Sequence, residues 1–218
     1  MLPKNKLDQF VSDAKDNIRN MFPTIKDNDD YTSIINERHF NRLRSYLIEA
    51  KQKGCEIIEI NPADEDFEQQ EHYKIPPTLL INPNDDLKVM QEEIFGPILP
   101  IKTYDSFEET INYINQKDRP LGLYYFGSND EELTTVLEKT TSGGVTVNDV
   151  IFHVAQDNAP FGGVGPSGMG SYHGEEGFRN FSHAKTVYTQ TKLDSIISVF
   201  RPPYGSKAKN ALKAQIKP

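Results

Sequence analysis

Seven residues, Gln91-Glu92-Glu93-Ile94-Phe95-Gly96-Pro97, constrain this chain more than any others. Two adjacent carboxylates precede an apolar pair, and a Gly-Pro step then turns the backbone into a new extended run, Ile98-Leu99-Pro100-Ile101. Glycine reaches backbone angles closed to other residues, and proline cannot donate a hydrogen bond. The run is therefore a shaped turn feeding a strand, and not a helix interior. An acceptor-only carboxylate beside an aromatic ring suits a sugar hydroxyl and a flat heterocycle. The plainer alternative is a solvated acidic turn followed by a buried Phe.

The rest of the chain alternates helix-spaced and strand-like segments. Residues 5–22 place Leu7, Phe10, Val11, Ala14, Ile18 and Met21 on one helical face, and Pro23 closes that helix. Residues 27–33 are polar and turn-like. A second helix is expected over 37–53, with Phe40, Leu43, Leu47 and Ala50 in register, and a strand over 56–60. Residues 61–73 read as an acidic loop, and 76–81 as another extended run. After the turn come a strand over 98–102, a helix opened by the capping box Ser106-Phe107-Glu108-Glu109, and an apolar strand over 121–126. Asn129 caps a helix bearing Leu133, Val136 and Leu137, Gly143-Gly144 ends it, and 145–148 is the next strand. Strands alternating with helices predict an α/β fold with a largely parallel sheet.

Three features invite a chemical reading that the context does not support. Gly163-Val164-Gly165-Pro166-Ser167-Gly168 has the G-x-G-x-x-G spacing, but no apolar strand leads into it and Pro166 opposes an immediate helix. A tight loop at the mouth of a site is the better reading. The five histidines, His39, His72, His153, His173 and His183, show no metal-like spacing, so no metal site is expected. His153 and His173 read as packing or hydrogen-bonding residues. Cys55, the sole cysteine, sits where Gly54 stops a helix and acidic and aliphatic side chains follow. A reactive thiolate needs cationic neighbours or a helix N-terminus, so Cys55 reads as a structural thiol. A single cysteine also excludes an internal disulfide.

Charge narrows the partners. With 24 basic and 32 acidic residues the net charge is -8, which argues against a nucleic-acid surface. There is neither a long apolar run nor a signal-peptide pattern, so no membrane span is expected and the default compartment is cytoplasmic. The tail, 206–218, interleaves lysines with Ala208, Leu212 and Ile216 and reads as a solvated terminal helix.

Glu92-Glu93-Ile94-Phe95-Gly96-Pro97 resembles a signature of the aldehyde dehydrogenase superfamily. A second block agrees: 143–150, then Ala159-Pro160-Phe161-Gly162-Gly163 running on through Tyr172-His173-Gly174. The order and spacing are similar to the class 3-like branch, most closely the coniferyl aldehyde dehydrogenases, and the likeness continues through Phe181-Ser182-His183 and Arg201-Pro202-Pro203-Tyr204-Gly205. The resemblance implies that Glu93 binds the nicotinamide ribose of NAD or NADP, that Phe95 packs near the nicotinamide, and that Phe161 lines the aldehyde tunnel. It implies thiolate attack on an aldehyde, hydride transfer to the nicotinamide and thioester hydrolysis. The resemblance implies a protein roughly twice this length, whereas 218 residues suit only one or two domains. The family's nucleophilic Gly-Gln-x-Cys run, general base and Rossmann half would lie upstream of Met1, so this chain is expected to supply no catalytic residue. A hydrophobic share of 36% is consistent with a half-enzyme.

On this reading residues 1–182 are the C-terminal part of the catalytic domain and 193–218 are a tail. Residues 183–192 are an oligomerisation strand pairing with a neighbouring subunit, in a homo-oligomer such as a dimer. Small-molecule aldehydes, aromatic ones such as coniferyl aldehyde included, are the implied substrates. The rival reading is a non-catalytic binding or oligomerisation module that keeps the same fold.

Overall fold

The computed structural model describes residues 1–68, 70–193 and 197–216. Two compact units emerge, the first comprising 1–156 and 161–170, the second 157–160 and 171–218.

The first unit alternates helix and strand as expected, with short elements at 2–3, 88–91 and 103–104 that the sequence reading did not include. Its elements are β1 (Leu2–Pro3), α1 (Leu7–Met21), α2 (Glu37–Gln52), β2 (Glu56–Glu59), β3 (Thr78–Ile81), α3 (Lys88–Gln91), β4 (Ile98–Ile101), β5 (Thr103–Tyr104), α4 (Phe107–Asn115), β6 (Gly122–Tyr125), α5 (Asp130–Lys139) and β7 (Gly144–Val147). Among the described residues β1 pairs with β5, β3 with β4 and β6 with β7, all parallel. The β2–β3 pair is antiparallel. A parallel return needs a crossover element, usually a helix, and the acidic connection between β2 and β3 contains none among the described residues. Among the described residues the strands form three small sheets and not one.

The largest core cluster fills the space between α2 and the sheet. Leu43, Ala50 and Leu80 are fully buried, and Tyr46 is nearly so. Each large apolar side chain removed from water there contributes about 1.5–3 kcal/mol. A second cluster seats the apolar face of α1, from Leu7 to Ile18, on Ile60, Leu79, Ile81 and Ile101. Met21 stands outside this face and is exposed. The third joins Ile111 of α4, Tyr125 of β6 and Val136 of α5, with Leu133 against it. Leu137, expected on the same face, is exposed instead, one position off the buried stripe.

Helix ends follow the sequence in part: α5 stops at Lys139, four residues before the Gly143-Gly144 pair expected to end it, and Gly144 already opens β7. Asn36 caps α2 by accepting from the His39 N–H, and Asn129 caps α5 by accepting from Glu131 and Glu132. At the end of α2, Gly54 takes φ +77°, with its N–H on the Lys51 carbonyl and the Cys55 N–H on the Ala50 carbonyl. That is a Schellman closure. The capping box expected at Ser106 is not formed. Glu109 reaches back to the Asp105 N–H, but the Ser106 side chain caps no backbone N–H and bonds Glu109 instead.

Asp85 anchors α4 beside the β3–β4 sheet. Its carboxylate accepts from Lys102 (3.1 Å), Lys117 (2.6 Å) and the Tyr113 hydroxyl (3.0 Å).

The second unit holds α6 (Gly174–Asn180), a 3-10 turn at Ser198–Phe200 and α7 (Ser206–Gln215). Ala208 is buried, whereas Leu212 and Ile216 are exposed. Residues 183–191 form no strand ladder among the described residues, and Val187 and Tyr188 are 78% and 74% exposed. The tail assigned to 193–218 includes 194–196, 217 and 218, which lie outside the described residues. No helix among the described residues is long and apolar enough to cross a membrane.

Candidate functional site

Glu93 and Phe95 lie between α3 and β4, and the shape of that segment is imposed from α2. Arg42 and Tyr46 are one helical turn apart. Arg42 Nη1 donates to the Tyr46 hydroxyl (2.7 Å) and the Glu93 carbonyl (2.8 Å), and Nη2 donates to the Ile94 carbonyl (2.8 Å). The Tyr46 hydroxyl passes the chain on to Oε2 of Glu92 (2.6 Å). Burial, together with the neighbouring Glu92 carboxylate, pushes the Tyr46 phenol above its ordinary value, so it stays a donor.

The exit of the turn is equally determined. Gly96 passes so close to Leu43 that any Cβ there would collide with Leu43 Cδ1. Leu43 is fully buried and has little room to move. The Pro97 carbonyl accepts from Thr78 of β3 (2.8 Å), which carries the chain into β4.

Between these restraints Phe95 takes φ +52°. A bulky residue at positive φ is an outlier that persists only where its surroundings over-determine it. The consequence is visible at the surface. Phe95 is 80% exposed, so the alternative of a buried Phe does not hold. Glu93 is also exposed, and its carboxylate makes no hydrogen bond or ion pair among the described residues. Of two adjacent glutamates, one is committed to the fold and the other is left available.

Phe161 belongs to a different neighbourhood. Its ring centroid is 5.9 Å from that of His153, which also lies 6.0 Å from Tyr124 of β6. His153 Nδ1 is 2.8 Å from the Thr146 hydroxyl on β7, and its own N–H donates to that hydroxyl (3.2 Å). His153 is thus a packing and hydrogen-bonding residue that seats Phe161 against the β6–β7 pair. The Gly163–Gly168 run is a closed turn, with a bridge between Gly165 and Gly168 and the Val164 N–H on the Ser167 hydroxyl (2.9 Å). Helix α6 begins only at Gly174.

Cys55 is half-buried against the α2 core, with its thiol 3.6 Å from the Ile81 carbonyl. It borders an open cleft of about 610 Å³ that Arg44 and Lys51 also line. Burial nonetheless pushes the Cys55 thiol up, and Glu56 adds to the effect, so it stays protonated.

Arg42, Tyr46 and Thr146 escaped the sequence reading. For the first two a faint signal exists: polar groups at i and i+4 beside the apolar positions of α2. Their partners are some fifty residues away in the chain, which no local pattern reveals.

Residues 1–187 match the model of the aldehyde dehydrogenase family. The probable coniferyl aldehyde dehydrogenase of Caulobacter vibrioides is 56% identical over 218 residues, covering 100% of this chain and 45% of that protein. The coniferyl aldehyde dehydrogenase of a Pseudomonas species is 52% identical over 94% of this chain and 43% of its own length. Among solved structures, the substrate-bound state of Staphylococcus aureus AldH superposes with a TM-score of 0.79 at 36% identity, over 100% of this chain and 45% of that one. The chain therefore spans less than half the length of the relatives it matches. With a family match over most of its residues and the mixed α/β architecture of its solved neighbours, it belongs to the aldehyde dehydrogenase family.

Proposed function

We propose that this chain forms the cofactor-facing and substrate-facing walls of a cytoplasmic, NAD- or NADP-dependent aldehyde dehydrogenase acting on aromatic, coniferyl-type aldehydes. Residues 1–182 belong to its catalytic domain, 183–192 to an oligomerisation arm and 193–218 to a tail. One observation carries the reading: the turn offers an exposed aromatic ring at Phe95 beside the unengaged carboxylate of Glu93. A carboxylate accepts well from a ribose hydroxyl, and an exposed ring suits a flat heterocycle. The substrate class rests on the names of the two similar relatives described above.

Glu93 orients the ribose, Phe95 limits where the nicotinamide can lie, and Phe161 contributes an apolar wall to the aldehyde channel. The bound nicotinamide supplies hydride acceptance. Cys55 does not attack the aldehyde, because its protonated, half-buried thiol is a poor nucleophile. The attacking thiolate comes from outside this chain.

The test is an activity assay in two parts. The purified chain, given coniferyl aldehyde with NAD or NADP, is expected to produce no NAD(P)H. Fused behind the N-terminal portion of the Caulobacter vibrioides relative, it is expected to oxidise that aldehyde. Turnover by the isolated chain that survives Cys55→Ala refutes the division of labour. Turnover abolished by Cys55→Ala makes Cys55 the nucleophile. A fusion that is folded but inactive favours the non-catalytic module.

A further inference from the structure

We infer that Arg42 is the positioning residue of this site: braced by Tyr46 and Glu92, it fixes the Glu93 and Ile94 carbonyls and so aims the Glu93 carboxylate and the Phe95 ring. The inference rests on the cofactor reading above, and its test separates the two.

The geometry divides the work among three groups. Arg42 presents a planar fork, and its two terminal nitrogens take successive backbone carbonyls, those of Glu93 and Ile94, each at 2.8 Å. Fixing two successive carbonyls orients the two peptide planes that meet at the Ile94 Cα, and the second of these carries the Phe95 nitrogen. Lysine, a point donor on a flexible stem, cannot hold both. The guanidinium is itself located twice. Its Nη1 shares the Tyr46 hydroxyl at 2.7 Å, and its central carbon lies 5.2 Å over the Tyr46 ring. Tyr46 is 2% exposed within the α2 core, so the latch is fastened to a rigid element.

Glu92 completes the circuit. Its carboxylate accepts a hydrogen bond from the Tyr46 hydroxyl at 2.6 Å, which turns the hydroxyl's lone pairs toward Arg42. The negative charge also balances the guanidinium. The paired glutamates, both exposed, consequently have different duties: Glu92 accepts from the Tyr46 hydroxyl, and the Glu93 carboxylate is held by nothing among the described residues. Left alone, Phe95 would relax from φ +52° to negative φ, and the ring and the Glu93 carboxylate would turn away together.

Two measurements test this. On the full chain, NMR chemical shifts of Phe95 report the sign of its φ. In the fusion with the N-terminal portion of the Caulobacter vibrioides relative, steady-state kinetics report the KM for NAD(P) separately from kcat and the aldehyde KM. Arg42→Met is expected to move the Phe95 shifts to negative-φ values and to raise the cofactor KM about tenfold, the scale of one lost charge-assisted hydrogen bond. The aldehyde KM should stay near wild type. Arg42→Lys should recover only part of the loss. Tyr46→Phe keeps the buried ring, and so the fold, while removing the bridge to Glu92; an intermediate rise is expected. If Glu93→Gln raises the cofactor KM but Arg42→Met and Tyr46→Phe leave it and the Phe95 shifts unchanged, the latch is overturned. If Glu93→Gln changes nothing, the ribose reading fails, and the Phe95 shifts alone then decide for or against the latch.

Discussion

Replacing Asp85 by Asn should remove a pH-dependent part of the stability of the first unit. Burial by itself would raise the Asp85 carboxyl, but hydrogen bonds from Lys117, Lys102 and Tyr113 outweigh it and hold the group at about 2. An unperturbed Asp titrates near ~3.9, so the difference is about two units, or about 2.6 kcal/mol at ~1.36 kcal/mol per unit. The Asp85 side chain is 38% exposed and Lys117 40%, so solvent screening reduces the effective value to about 1 kcal/mol. The sign follows from the depressed folded value. The contribution is fully present above the unfolded pKa and disappears as pH falls from about 4 to about 2. The amide introduced by Asp85→Asn would keep one acceptor but no charge. Urea unfolding of wild type and Asp85→Asn, followed by circular dichroism from pH 7 to pH 2, should show a gap of about 1 kcal/mol at neutral pH that closes on acidification. Other carboxylates titrate in the same range, but they are common to both proteins and cancel in the difference. A gap that is constant with pH, or no gap at neutrality, would refute the reasoning.

Two further outcomes can be stated. Gly54→Ala adds a Cβ that meets no atom within 4 Å but must sit at φ +77°, so denaturant unfolding should show a loss of about 1 kcal/mol from backbone strain alone; an unchanged midpoint would mean that the Schellman closure tolerates other conformations. The extended segment around Tyr188 is proposed to add a strand to a neighbouring copy, for which the β7 edge not paired to β6 is the candidate acceptor. Light scattering over a dilution series should find wild-type dimers that Tyr188→Pro weakens by removing a ladder donor, and a wild type that stays monomeric throughout would end that idea for this chain.

Much of this protein was readable from order alone because the signals are local. Gly54 and Asn129 mark helix ends by satisfying backbone groups within a few residues of themselves. The 3.6-residue spacing of Phe40, Leu43, Leu47 and Ala50 names the buried face of α2 whatever lies opposite it. The Gly-Pro step at 96 and 97 announces a turn into β4. What tertiary structure alone decided is which of two identical neighbours is free. In sequence Glu92 and Glu93 differ by one position and in nothing else. Arg42 and Tyr46, brought from some fifty residues away by the α2 core, engage the first side chain and only the backbone of the second. The same contact holds Phe95 at a positive φ that its own side chain disfavours. Ser106 shows the converse, a local capping pattern that is not formed: its hydroxyl donates to Glu109 and caps no backbone N–H. Local hydrogen bonds and periodicity are written along the chain; the pairing of distant polar groups is not, because it depends on which surfaces the core brings together.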